Sequence, residues 1–100
     1  MGKLVRDRIP EIIRAGGGEP VVTVLGEADY REALLEKLFE EAAELREAPA
    51  AGVAEEIADV LEVLRAVATV HGYEWADIEK VAEAKRAERG AFSGRIHLKG

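Results

Sequence analysis

The sequence predicts an all-α protein: an antiparallel helical hairpin with a further helix packed on it, closing into a helical bundle on oligomerisation. Three observations predict it. Two long stretches carry apolar residues at helical spacing. Only a short segment containing Pro49 and Gly52 separates them, which favours antiparallel neighbours. The single β-branched run, "VVTVLG" at 21–26, is too isolated to build a sheet.

Each element follows from local chemistry. In "VRDRIPEIIRAGGGEP", Pro10 suits the first turn of a short helix, where its missing N–H costs nothing, and Gly16, Gly17 and Gly18 end that helix. The run at 21–26 reads as an extended segment or an edge strand. Asp29 can cap the first long helix with Glu32 as its reciprocal partner. That helix runs to about Ala48 and carries Leu34, Leu38 and Leu45 in one row.

The second long helix starts near Val53. It presents Ile57, Val60, Leu61, Leu64, Val67 and Ala68 on one broad face and ends at His71 and Gly72. A third helix spans roughly Trp75 to Arg89, with Ile78, Val81 and Ala82 inward, and Gly90 closes it. The tail holds Phe92, Ile96 and Leu98 and is expected to dock. Val60, Val63, Leu64 and Val67 spread apolar surface around more of the second helix than so short a chain can cover, so an obligate homo-oligomer is expected.

At 100 residues the chain is one domain, 1–100, with a modest core. It contains no cysteine, which removes disulfides, thiolate metal sites and cysteine nucleophiles. No apolar run approaches membrane-spanning length and no signal-type segment opens the chain, so a cytoplasmic protein without a membrane partner is expected. The net charge of −6 argues against nucleic acid as a partner. Between Glu27 and Glu62 there are 12 acids and 3 bases, whereas both flanks carry a slight excess of bases. Such a layout either brings cation-binding and phosphate-binding groups together or reflects the Glu-rich surfaces common on helices.

Glu41 breaks the pattern of its helix, because it completes the row of Leu34, Leu38 and Leu45. Glu44 lies three residues on, and the second helix repeats the spacing with Glu56 and Asp59. One pair precedes the loop and the other follows it, so antiparallel packing lets them face each other. Four carboxylates so placed repel unless a cation sits among them, and oxygen-only ligands select a hard divalent ion. Against this stands an ordinary account: Glu55 and Glu56 suit a helix N-terminus, and Glu40, Glu41 and Glu44 can pair with neighbours such as Lys37.

"KLVRDRIPEII", "EEAAEL", "EEIADVLEVL" and "KRAERGAF" together resemble the MazG-like all-α nucleoside triphosphate pyrophosphohydrolases, in the branch described as phosphoribosyl-ATP pyrophosphohydrolase-like. The resemblance runs from Lys3 to Leu98 in the right order. It implies that Glu41, Glu44, Glu56 and Asp59 bind Mg²⁺, with Mn²⁺ as a substitute. It further implies cleavage of a nucleoside triphosphate between its α- and β-phosphates, in a homodimer or dimer of dimers. The short loop between the acidic motifs implies a shallow or partner-completed pocket.

That chemistry needs a base for water, for which Glu40 and Glu41 are the candidates. It also needs cations for the phosphates: Lys3, Arg6 and Arg8 from the N-terminal segment, and Lys85, Arg86 and Arg89 from the last helix. Asp7 is expected to order Arg6 and Arg8. His71 and His97 form no metal site, and Tyr30, Tyr73 and Trp75 are expected to pack. Two alternatives remain open: hydrolysis of phosphoribosyl-ATP in histidine biosynthesis, and a non-catalytic helical oligomerisation module.

Overall fold

A computed structural model describes residues 2–100, and all regular secondary structure among them is helical. Helix α1 covers Ile9–Ala15, α2 Glu27–Glu47, α3 Val53–Val70 and α4 Trp75–Arg89, with a 3₁₀ turn at Ala50–Gly52. Two compact units divide the chain, one running up to Val67 and the other Ala68–Gly100. None of the helices is long and apolar enough to cross a membrane.

Pro10 sits in the first turn of α1 as expected. Past the end of α1, the Gly18 N–H donates to the Ile13 carbonyl at 2.9 Å, and Gly17 adopts a φ of +92° that most side chains resist. Of the two readings of 21–26, the edge strand does not form, and the run carries no regular structure. Val21 and Val24 are each 98% exposed, since β propensity without a partner strand and a face to pack has nothing to stabilise it.

Helix α2 begins three residues earlier than a cap at Asp29 predicts. Gly26, in extended conformation, precedes it, and Asp29 lies within the first turn rather than capping it. Acids there oppose the positive end of the helix dipole, so Asp29 stabilises this start from inside the helix. Glu27 also accepts from Arg31 at 3.0 Å. At the other end Ala48 turns extended (φ −67°, ψ 138°), the conformation that Pro49 imposes on the residue before it.

After the 3₁₀ turn the chain folds back, so that Glu41 before the turn meets Glu56 and Asp59 after it. On α2 the expected inward row holds: Leu34 and Glu41 are buried, and Leu38 and Leu45 are half-buried. On α3 the buried side chain in this unit is Val63, with Glu56, Asp59, Val60 and Val67 half-buried. The expected face is corrected in part, because Ile57 (53%) and Leu64 (37%) are exposed. One residue is about 100° on a helix, and the inward face is set by the residues that meet Glu41 and Leu34 rather than by the apolar maximum.

In the second unit, Gly72 takes φ +85° and Tyr73 N–H reaches back to the Ala68 carbonyl at 2.9 Å, closing α3 where expected. Helix α4 starts with a capping contact unforeseen in the sequence, the Glu74 N–H donating to Asp77 Oδ2 at 3.0 Å. Trp75 and Ile78 are half-buried, but Val81 and Ala82 are exposed, contrary to expectation. The tail does not dock: Phe92, Ile96 and Leu98 are all more than 90% exposed. The short segment after Gly90 has no regular structure that could press these side chains against the chain.

Candidate functional site

The site grows from Glu41. Its place in the inward row of α2 leaves it 7% exposed, and its Oε2 is shut off from solvent without a hydrogen-bond partner. A buried charge without compensation is costly, so the position calls for a counter-charge. Carboxylate oxygens of Glu41, Glu56 and Asp59 all lie within 4.8 Å of one another, and so do those of Glu40, Glu41 and Glu44. The four expected ligands therefore fall into two overlapping triplets that share Glu41, one spanning α2 and α3 and the other on α2 with Glu40. Oε2 of Glu56 is a second enclosed oxygen with no partner.

Electrostatics follow from this crowding. Burial pushes the Glu41 carboxyl above the usual carboxylate range, the charges of Glu44 and Asp59 push it further, and Lys37 opposes them. The Lys37 Nζ stands 3.4 Å from Glu40 Oε1 and 3.5 Å from Glu41 Oε1, so the ordinary pairing anticipated for these acids is present too. Lys37 is a functional candidate that the sequence reading passed over. Its signal was its position, three and four residues ahead of Glu40 and Glu41 on one helix face.

A cavity of about 430 Å³ adjoins the cluster. The N-terminal segment Leu4–Arg8 forms one wall, and Leu34, Val63 and Ala66 supply apolar lining. Tyr30 and Lys37 face the same space from α2, and Asp59 and Glu62 from α3. Tyr30, expected only to pack, thus also lines the cavity. Arg6 enters the cluster directly, its Nη2 donating to Asp59 Oδ1 at 2.7 Å. Arg8 lines the cavity and pairs with Glu11 at 3.0 Å. Asp7 is therefore not what orders the two arginines, whose carboxylate partners are Asp59 and Glu11. Lys3 is exposed and outside the lining.

Lys85, Arg86 and Arg89 belong to the second unit. They border their own cavity of about 520 Å³ with Ala82, Gly90 and Phe92, at the C-terminal end of α4, where cations offset the negative pole of a helix. Among the described residues neither His71 nor His97 joins a cluster of possible metal ligands.

The donor set suits a hard cation. It is oxygen-only, carries several formal negative charges within a few ångströms, and includes enclosed oxygens that no protein group satisfies.

No family model and no solved structure matches the chain. An uncharacterized protein of Mycolicibacterium smegmatis is 58% identical to it over 48 residues, which cover 48% of this chain and 49% of that protein. The match therefore spans about half the length of that relative.

Proposed function

We propose that this protein is a divalent-cation-dependent nucleoside triphosphate pyrophosphohydrolase of the MazG-like kind, yielding the monophosphate and pyrophosphate in the cytoplasm. One observation carries the reading: Glu41, buried with an unpartnered oxygen, within 4.8 Å of carboxylate oxygens of Glu56 and Asp59 on the next helix. The ordered resemblance of the four sequence segments supports the substrate class.

In this reading Glu41, Glu56 and Asp59 hold Mg²⁺ (or Mn²⁺), with Glu44 extending the set through Glu41. The ion supplies charge neutralisation on the phosphates and acidifies water. Glu40 takes the proton from the attacking water, as the carboxylate that adjoins the cage without belonging to the set shared with α3. The water oxygen bonds to the α-phosphorus, the bridging bond to the β-phosphate breaks, and pyrophosphate leaves with the electron pair. Arg6, Arg8 and Lys37 line the cavity beside the cluster, which supports their neutralising the phosphates in this reading. Lys85, Arg86, Arg89 and Lys3 remain proposed contacts for the distal phosphates.

The reading includes a homodimer, or a dimer of dimers, built on the hairpin of α2 and α3. Leu35 and Phe39 each follow an inward residue of α2 by one position, as Ile57 and Leu64 do on α3. On antiparallel helices both offsets fall on the same flank. That flank carries four exposed apolar side chains, with Phe39 76% exposed, and lies opposite the cavity.

The deciding experiment is a pyrophosphate-release screen over standard and damaged nucleoside triphosphates and phosphoribosyl-ATP, with Mg²⁺ and with EDTA. Mg²⁺-dependent release from a triphosphate is expected. Release from phosphoribosyl-ATP alone would move the reading to histidine biosynthesis. No release from any substrate, with no Mg²⁺ effect on melting, would leave the oligomerisation module.

A further inference from the structure

Two cations sit against the carboxylate cluster, and they differ in how they arrive. Lys37 is one helical turn from Glu41, so its position is a property of α2. Arg6 comes from 53 residues away to reach Asp59 at 2.7 Å. It is a tertiary contact that the chain can give up without unwinding a helix. Both partners of this pair are partly open to water, 57% for Arg6 and 38% for Asp59. The segment is otherwise anchored at its C-terminal end, where Ile9 N–H donates to the Arg6 carbonyl at 3.1 Å, Ile12 N–H donates to the Arg8 carbonyl at 3.0 Å and Arg8 pairs with Glu11; before Arg6, Leu4 is half-buried and Val5 is 38% exposed.

We propose that Arg6 is a built-in counter-ion for the Glu41, Glu56 and Asp59 cluster, displaced from Asp59 when a divalent cation binds there, so that the strap Leu4–Arg8 is clasped in the cation-free protein and released by loading. The proposal rests on the cation-site part of the function proposed above, not on the hydrolytic part. Three points carry it. First, Asp59 Oδ1 is the oxygen that Arg6 occupies, and Asp59 is one of the three residues whose oxygens converge. A guanidinium and a divalent ion repel each other and compete for the same carboxylate. Second, Arg6 does not satisfy the cluster, since the enclosed Oε2 atoms of Glu41 and Glu56 stay unpartnered beside it. A cation seated between the helices reaches oxygens that the arginine does not. Third, Arg6 also lines the adjoining cavity, so the freed guanidinium needs only to swing into that space to meet an anionic ligand. Coupling of this kind is reciprocal: what loosens the strap tightens the ion, and the reverse.

The test uses Mg²⁺ alone with the full chain. Isothermal titration calorimetry compares wild type, Arg6→Gln, the charge-keeping Arg6→Lys, and Arg14→Gln as the control, an exposed cation in the last turn of α1 outside both the cluster and the cavity lining. Arg6→Gln is expected to bind Mg²⁺ about two- to fivefold more tightly, the range of an exposed ion pair. Arg6→Lys is expected to fall between it and wild type, and Arg14→Gln to match wild type. In parallel, NMR shifts of the backbone amides at 4–8 in the wild type are expected to move on adding Mg²⁺ toward those of cation-free Arg6→Gln. Equal or weaker binding by Arg6→Gln, or strap amides that Mg²⁺ leaves unmoved, overturns the clasp while leaving the cation site standing. Absence of binding in every protein overturns the site and the clasp together.

Discussion

Lys37 holds its Nζ 3.5 Å from Glu41 Oε1, making a cation the near neighbour of the buried carboxylate. The pair is incomplete, because the other oxygen of Glu41 has no partner and four further acids bring carboxylate oxygens within 4.8 Å of its own. That imbalance sets the energetics of the site. Like charges about 4 Å apart repel by roughly 4 kcal/mol at an effective dielectric near 20, before any counter-ion acts.

Neutralising Glu41 is therefore expected to separate stability from activity. Glu41→Gln keeps the shape and removes a buried charge. In EDTA its Tm is expected to exceed that of wild type by a few degrees, at about 4–8 °C for each kcal/mol relieved in a domain of this size. In Mg²⁺ the order is expected to reverse, and Mg²⁺-dependent turnover to vanish. Glu44→Gln is expected to lose turnover as well. Full activity in both variants would refute the assignment of the cage.

Proton linkage has a definite sign here. The folded state raises the Glu41 carboxyl above its unfolded value, so the fold favours the protonated form. The stability tied to this group is fully present below the ordinary carboxylate range and is lost as pH rises through the raised folded value. Urea midpoints in EDTA, taken from pH 4 to 8, are expected to show Glu41→Gln gaining on wild type as pH rises. A constant difference across that range would contradict the shift.

Assembly is expected to depend on the flank opposite the cavity. Phe39→Glu puts a charge at the most exposed of the four apolar positions Leu35, Phe39, Ile57 and Leu64. Light scattering is expected to give a dimer or larger for wild type at micromolar concentration, and a dissociation constant at least about tenfold weaker for the variant. A monomeric wild type would rule out the interface.

The basic groups are separable by kinetics. Lys37→Ala is expected to raise the Michaelis constant about tenfold at low salt, the size of one charge-assisted phosphate contact. Lys85→Ala and Arg89→Ala are expected to do the same if α4 reaches the substrate, with Mg²⁺ binding unchanged. Wild-type kinetics in both α4 variants would assign the phosphates to Arg6, Arg8 and Lys37.

Much of the fold was legible because its signals are local. Pro49 stops α2 and Gly72 stops α3 through backbone geometry that a few residues fix by themselves. The interruption at Glu41 was legible for the same reason, as a break in one helix's own period. What could not be read depends on partners. Valines at 21–24 signal a strand only if another strand is there to pair with it. The inward face of α3 was misplaced because Val63 and the acids, not the apolar maximum, meet α2. The bond from Arg6 to Asp59 joins positions 53 apart, which no spacing rule reaches.

The turn between α2 and α3 has a consequence for how the chain can vary. One helical turn rises about 5.4 Å, more than the 4.8 Å within which the oxygens of Glu41, Glu56 and Asp59 gather. Sliding α3 by one turn against α2 would therefore scatter them. The connector holds that register with Pro49 setting the exit of α2 and a single 3₁₀ turn at Ala50–Gly52. It works as a gauge block between the helices: apart from Pro49 its side chains can change, while adding or removing a residue is expected to break the constellation without touching any member of it.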